Sequence, residues 1–221
     1  METTISGSTG CSGKVLLKRV LLICGVLSSL LYATMMIAIR FEGYSLTSQT
    51  VSELSAIGTP TRSLWMPLGT AYDLLMIAFG LGVLISAGGR RALRVVGGLL
   101  VAYGALVVAW PFASMHQREV LAAGGGTLSD TLHIILGMIT VLFMLAAIGF
   151  GAAAFGKLFR IYSIGTIVIL LVFGALTGLD GPRIGANLPT PWVGVWERIS
   201  IAVFLVWVAV LAIILLRAEK G

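Results

Sequence analysis

Six long apolar runs alternate with short polar connections along this chain. A helix needs about 20 apolar residues to cross the hydrocarbon core of a bilayer. Runs of that order occupy Val15–Ile39, Leu64–Ala87, Leu93–Ala113, Thr131–Phe155, Ile161–Leu179 and Ile199–Leu216. The pattern predicts an all-α, polytopic transmembrane bundle of six helices over residues 14–221, behind a polar, small-residue tail at 1–13 that is expected to be disordered. Within the first run the apolar stretch after Lys18 and Arg19 is long enough to span and has no small-residue cleavage site before the next polar segment, so it reads as a retained helix. Gly80, Gly82, Gly97, Gly98, Gly104, Gly137, Gly165 and Gly174 fall inside the runs and read as packing positions, because small residues let helices approach closely in lipid.

Composition agrees with a lipid solvent. The 221 residues are 58% hydrophobic and 11% charged, with a mean hydropathy of +1.03; soluble domains carry about 25% charged residues. A net charge of +6 would suit a nucleic-acid partner, but the basic residues flank apolar spans instead of forming a soluble patch, which excludes that reading. Ten Lys and Arg residues fall on the side of the termini and five on the other. The positive-inside rule then predicts a multi-pass cell-membrane protein (inner membrane in a Gram-negative cell) with both termini cytoplasmic. The acids sort the other way: Glu42, Glu53, Asp73, Glu119, Asp130, Asp180 and Glu197 lie in or toward the outer half. Cys11 and Cys24 suggest neither a metal pair nor a disulfide framework.

The inner links "GGRRALR" and "GKLFR" are short, while the three outer connections are longer and carry the polar chemistry. One of them, "SMHQREVLAAGGGTLSDTLH" (114–133), holds both histidines. His116, His133 and Asp130, with Glu119 or Asp73 as other carboxylates, make a set that suits Zn²⁺ or another divalent metal; no HExxH spacing accompanies it. The alternative is structural: Thr127 or Ser129 caps the fourth helix and Asp130 meets the positive end of its dipole. Asp73 lies about 14 Å into the second span at 1.5 Å per residue, where a carboxylate needs a partner or a polar cavity; Arg198, Arg62, His133 and His116 are the candidates. The first outer connection offers Ser52 and Glu53 as catalytic candidates beside Asp73, without a GxSxG elbow. Val51, Leu54 and Ile57 at helical spacing predict a short amphipathic helix there, capped by Ser48 and ended near Gly58 and Pro60. The third connection has Pro182, Pro189 and Pro191 with Trp192 and Trp196, fitting an aromatic belt or a lid. Asp73, His116, Asp130 and His133 are expected to line one outward-opening cavity, with Glu53 and Arg198 near its rim and Gln49, Arg118 and Glu119 as further polar site residues.

The segments "YSLTSQTVSELSAIGTPTR" (44–62), "PFASMHQREV…TLSDTLH" (111–133) and "GVWERISI" (194–201) resemble the bacterial and archaeal membrane family known as domain of unknown function 998. The resemblance rests on Tyr44, Ser45, Ser48, Gln49, Ser52, Glu53 and Leu54, on Trp110 and Pro111, on His133, and on Gly194, Glu197 and Arg198. Glu197 stands where Gln is expected in many members, and it suggests a pair with Arg198. The resemblance implies a multi-spanning membrane protein with no established activity. Three function classes stay open. One is a metal-dependent membrane hydrolase acting on a lipid or amide, similar in residue types alone to alkaline ceramidases, which use three histidines. Another is a small proton-coupled transporter or a membrane protein binding a lipid or small molecule at the outer face. The third is an assembly protein; a haem protein is a weaker fourth, since no CxxCH motif is present.

The basic bias leads to a direct test of topology. In a cysteine-free background in intact cells, a membrane-impermeant thiol reagent should label Cys placed at Gly125 and not at Gly89; the reverse pattern overturns the orientation.

Overall fold

The computed structural model describes residues 8–218, with side chains from Gly13 onward. Its helices are α1 (Ser8–Ala38), α2 (Arg62–Ser86), α3 (Arg91–Ala105), α4 (Arg118–Ala122), α5 (Leu128–Ala152), α6 (Lys157–Leu179), α7 (Gly181–Gly185) and α8 (Val193–Ala218). Six are long and apolar enough to cross a membrane: α1, α2, α3 with its extension to Val108, α5, α6 and α8. The chain is thus an all-α membrane protein, with no strand among the described residues beyond one isolated parallel bridge between Ile57 and His116. Of the tail expected at 1–13, residues 1–7 lie outside the described residues, and the rest is drawn into α1. Cys24 is a free thiol; the side chain of Cys11 lies outside the described residues.

Two elements differ from the apolar pattern. The third span, expected to run to Ala113, leaves the α-helix at Ala105 and continues as 3₁₀ turns at Leu106–Val108 and Trp110–Phe112. Pro111 accounts for this: it has no N–H for the carbonyl one turn back, and it disfavours helical geometry at the residue before it. The amphipathic helix expected after α1 is a single 3₁₀ turn, Ser52–Ser55. Its apolar residues Val51 and Leu54 are buried, but Ile57 is exposed and its backbone N–H donates to the Met115 carbonyl. The segment is tied into the bundle by hydrogen bonds, so it does not lie on the surface as an amphipathic helix.

Each span packs on the next in chain order, and α8 closes back on α1, so the six form a ring. Packing is most extensive between α2 and α3 and sparsest between α5 and α6. Buried Phe79, Phe204, Trp207 and Leu211 fill one part of the interior. Polar groups also join the helices: Trp207 Nε1 donates to Ser163 Oγ at 3.0 Å and Ser29 Oγ to the Leu205 carbonyl at 2.8 Å. Such bonds add to van der Waals packing where lipid supplies no hydrophobic drive between helices.

The intraspan glycines divide into two groups. Gly80, Gly82, Gly97 and Gly104 sit where another helix passes so close that a Cβ would meet it within 3 Å. Gly98, Gly137 and Gly165 have nothing within 4 Å of that position, so they are not packing glycines in this ring. At Gly97 a Cβ would stand 2.7 Å from Leu84 Cγ and 2.9 Å from the Gly80 carbonyl. Gly97→Leu should therefore overpack the α2–α3 seam and destabilise by roughly 1–3 kcal/mol or more, whereas Gly98→Leu should stay within about 0.5 kcal/mol. Thermal unfolding in a mild detergent measures both, and equal melting of the two variants contradicts a tight seam.

Candidate functional site

The looped end of the bundle, opposite the termini, is held by two arginines. Glu53 and Arg118 are both buried, at 3% and 8% exposure, and form a two-pronged ion pair. Arg118 Nε donates to Glu53 Oε1 at 2.7 Å and Nη2 to Oε2 at 2.8 Å. Glu53 also accepts from the Thr50 backbone N–H at 2.7 Å, the Thr50 hydroxyl at 2.9 Å and Gln49 Nε2 at 3.2 Å. Arg118 spends its other N–H groups on Thr190 Oγ1 and the Ser48 carbonyl. One pair thus clamps the segment after α1, the start of α4 and the segment before α8.

Arg198 performs the same task one layer away. It donates to the carbonyls of Met36, Leu46, Gln49 and Gly194 and to the Tyr44 hydroxyl. Tyr44 passes its own proton to the Thr50 carbonyl at 2.7 Å. Burial pushes the Tyr44 phenol up to about 12, against the lowering effect of its Arg198 hydrogen bond, so it stays a neutral donor at physiological pH. Gly194 allows the close approach: a Cβ there would collide with the Gln49 and Leu46 carbonyls. The expected Glu197–Arg198 pair is not formed. Adjacent residues on a helix point about 100° apart, and Glu197 turns instead to the Val51 N–H and, at 3.3 Å, to the Ser52 hydroxyl.

The two histidines are separated by their partners. His116 gives its backbone N–H to Asp130 Oδ1 at 2.7 Å, and its ring Nδ1 lies 2.9 Å from Oδ2. Asp130 also accepts from the Thr127 N–H, completing a capping box at the start of α5. His133, less than one turn further on, sets Nδ1 at 2.8 Å from the Ala113 carbonyl, which makes that nitrogen the donor, and stands edge-on to Trp110. No group of three His, Cys, Asp or Glu side chains gathers to hold a metal among the described residues.

Inside the ring lies a cavity of about 780 Å³, within the usual range for ligand pockets of 300–1,000 Å³. Val51, Ser52 and Ser55 of the first connection reach one part of its wall. Tyr32, Trp65, Tyr72 and Tyr103 make an aromatic wall: Tyr32 lies 4.6 Å from Tyr72 and 5.8 Å from Trp65 between ring centroids. The Tyr72 and Tyr103 hydroxyls are 2.8 Å apart. Beside them is Asp73, near the middle of α2 and 8% exposed. Among the described residues no donor reaches its carboxylate: Arg62 is occupied by the Ser55 carbonyl and Ser114, and Arg198 by the oxygens named above. The opposite wall is apolar, with Met138, Val141 and Leu142 of α5 facing Leu170, Leu171 and Ala175 of α6. Thr140 and Thr177 on those helices turn their hydroxyls back to their own backbone carbonyls.

Of the residues expected to converge, Asp73 and His133 share the cavity wall, and the catalytic candidate Ser52 lies on it as well. His116 and Asp130 stand outside the cavity lining, because the helix cap claims the Asp130 carboxylate. Gln49, Glu53, Arg118 and Glu119 border a smaller polar recess of about 240 Å³ on another side, and Arg198 is enclosed by loop carbonyls. All five acceptor contacts of Glu53 are structural. Residues 179–196 are not on the cavity wall; Thr190 is held by Arg118 and Ser48. Sequence reasoning missed Tyr32, Trp65 and Tyr103. Their signal was available, since a tyrosine deep in a span needs a polar partner for its hydroxyl.

The fold and site define an integral membrane protein: a ring of six spans enclosing a part-aromatic, part-aliphatic cavity with one unpaired carboxylate. The family model described as "Protein of unknown function (DUF998)" matches residues 22–214, and the chain belongs to that family. No curated protein and no solved structure matches it. Among the residues that carry the resemblance, Tyr44, Gln49, Glu53, Gly194 and Arg198 stitch the looped end together.

Removing one member of a buried ion pair leaves the other unpaired, at a cost of about 3–5 kcal/mol. Arg118→Met should lower the melting temperature sharply, and Glu53→Gln should do so less, because an amide still pairs with loop donors. The double variant should recover part of the Arg118→Met loss. A double-mutant cycle on detergent-solubilised protein measures this, and strict additivity contradicts the coupling.

Proposed function

We propose that the protein binds an amphipathic molecule drawn from the membrane, with the polar head against Asp73 and the apolar tail between α5 and α6. The observation that carries this reading is the Asp73 carboxylate: it is buried, lines a cavity of ligand size, and has no donor among the described residues. A bare carboxylate in an apolar interior is strongly disfavoured unless something donates to it. The two unlike walls support an amphipath over a purely polar solute. Exposed apolar residues of α5, such as Met138 and Leu142, also line the cavity, and the α5–α6 seam is the sparsest in the ring. Both facts favour access from lipid. With the basic bias of the chain, the looped end faces away from the cytoplasm.

Bromine quenches tryptophan on contact, and Trp65 and Trp110 are on the cavity wall. In nanodiscs of uncharged lipid, ω-bromododecanol should quench the wild type saturably. Gly137 lines the cavity and has nothing within 4 Å of a Cβ position, so Gly137→Phe should place a ring in the cavity without disturbing the helices. It should weaken that binding by about tenfold or more, equivalent to about 1.4 kcal/mol. Linear, unsaturable quenching that is the same in both proteins overturns the reading.

A further inference from the structure

We infer that the head group this cavity accepts is an ammonium: a long-chain amine or alkylammonium carrying one positive charge and no anionic group. The inference rests on the binding reading above and names the chemistry of its ligand. Three independent features of the wall lead to it.

The first is charge. The chain as a whole carries a net +6. Yet the cavity wall contains two carboxylates, Asp73 and Glu197, and neither Lys nor Arg. The nearby guanidiniums are all committed elsewhere: Arg62 to Ser55 and Ser114, Arg118 to Glu53, Ser48 and Thr190, and Arg198 to a cage of carbonyls. The wall's one basic side chain is His133, whose Nδ1 is given to the Ala113 carbonyl; no permanently charged cation is there to neutralise a phosphate, sulfate or carboxylate head, and an anion placed beside an ionised Asp73 in so apolar a space would be repelled. Zwitterionic phospholipid heads fail for the same reason.

The second is the difference between the two acids. Glu197 is satisfied by the Val51 N–H and the Ser52 hydroxyl. Asp73 has no such donors and is 92% removed from solvent, its residue exposure being 8%. The acid left without a partner is therefore localised at one point on α2, where a bound cation would hold it ionised.

The third is the ring cluster around that point. Tyr32, Trp65, Tyr72 and Tyr103 line the cavity together with Asp73, and Tyr32 meets Trp65 at 78° and Tyr72 at 52°, so the rings lie in different planes. An ammonium is attracted to aromatic faces as well as to a carboxylate, and the effect grows when water is excluded. An alcohol or amide head would use Asp73 as an acceptor but gain little from the rings. The Tyr32 and Ser200 hydroxyls, both on the wall, remain as acceptors for N–H groups.

The test compares three probes of one chain length in nanodiscs of uncharged lipid: ω-bromododecylammonium, ω-bromododecanol and ω-bromododecanoate, each read by saturable tryptophan quenching. Wild type should bind the ammonium at least about tenfold more tightly than the alcohol, with the carboxylate weakest. Asp73→Asn should bring the ammonium to the level of the alcohol while leaving alcohol affinity within about threefold, and Asp73→Glu should keep most of the preference. Size exclusion and melting check that the variants are folded; if Asp73→Asn is not, the wild-type order of the probes and Asp73→Glu decide. Equal affinity for alcohol and ammonium in the wild type, or an ammonium preference that survives in folded Asp73→Asn, overturns the assignment and leaves the binding reading standing. Failure of all three probes to saturate in the wild type overturns both.

Discussion

Glu53 and Arg118 sit in an apolar bundle with almost no access to water, and each supplies what the other lacks. A charge so placed is tolerated only when its hydrogen-bonding capacity is filled. The pair meets that demand with two parallel N–H···O bonds, then uses the remaining capacity of both groups on the backbone and side chains of three separate connections. The consequence is architectural. The segment after α1 cannot float above the membrane; it is drawn down until Val51, Ser52 and Ser55 reach the cavity wall. Arg198 reinforces this by collecting the carbonyls at the end of α1 and the start of α8. Irregular backbone there is supported by side-chain donors, which the carbonyls of Leu46, Ser48, Gln49, Thr50 and Ser55 each accept.

That arrangement also sets the character of the cavity. Arg62, Arg118 and Arg198 at the looped end are consumed in holding loops, and neither Lys nor Arg lines the interior. What remains on the wall is Asp73, an otherwise satisfied Glu197, a histidine bonded to a backbone carbonyl, and a cluster of rings. The same electrostatic requirement that folds the loops leaves the interior acidic in a basic protein. Close glycine contacts between α2 and α3 brace the wall on which Asp73 is carried: a Cβ at Gly104 would stand 2.7 Å from the Asp73 carbonyl. The α5–α6 side is less tightly joined and more apolar. The stiff polar wall and the looser aliphatic wall suit the two ends of an amphipath.

Much of this was legible along the chain. Residue types already marked Asp73 as a carboxylate too deep to be casual; for Asp130 they offered a metal ligand or a place at the start of the helix, and the structure uses it in the capping box with Thr127. The chain pattern misled where it relied on proximity in sequence. Glu197 and Arg198 are neighbours that point to different partners, and His116 and His133 are near one another in the chain but bonded to different groups. Helical spacing of Val51, Leu54 and Ile57 suggested an amphipathic helix, yet the bonds to Glu53 and Glu197 enforce a single tight turn.

By itself the sequence determined the number of spans, the all-α class and the end of the bundle where polar chemistry gathers. It could do so because hydrocarbon thickness and the need to satisfy the backbone in lipid leave a long apolar run little choice but a helix. Only the tertiary structure decided which ionisable groups meet. Arg118 finds Glu53 across 65 positions of the chain, and Arg198 finds the Leu46 carbonyl across 152. Closure of the ring, not spacing along any one helix, brings these groups together, and it leaves Asp73 facing a cavity with no partner of its own.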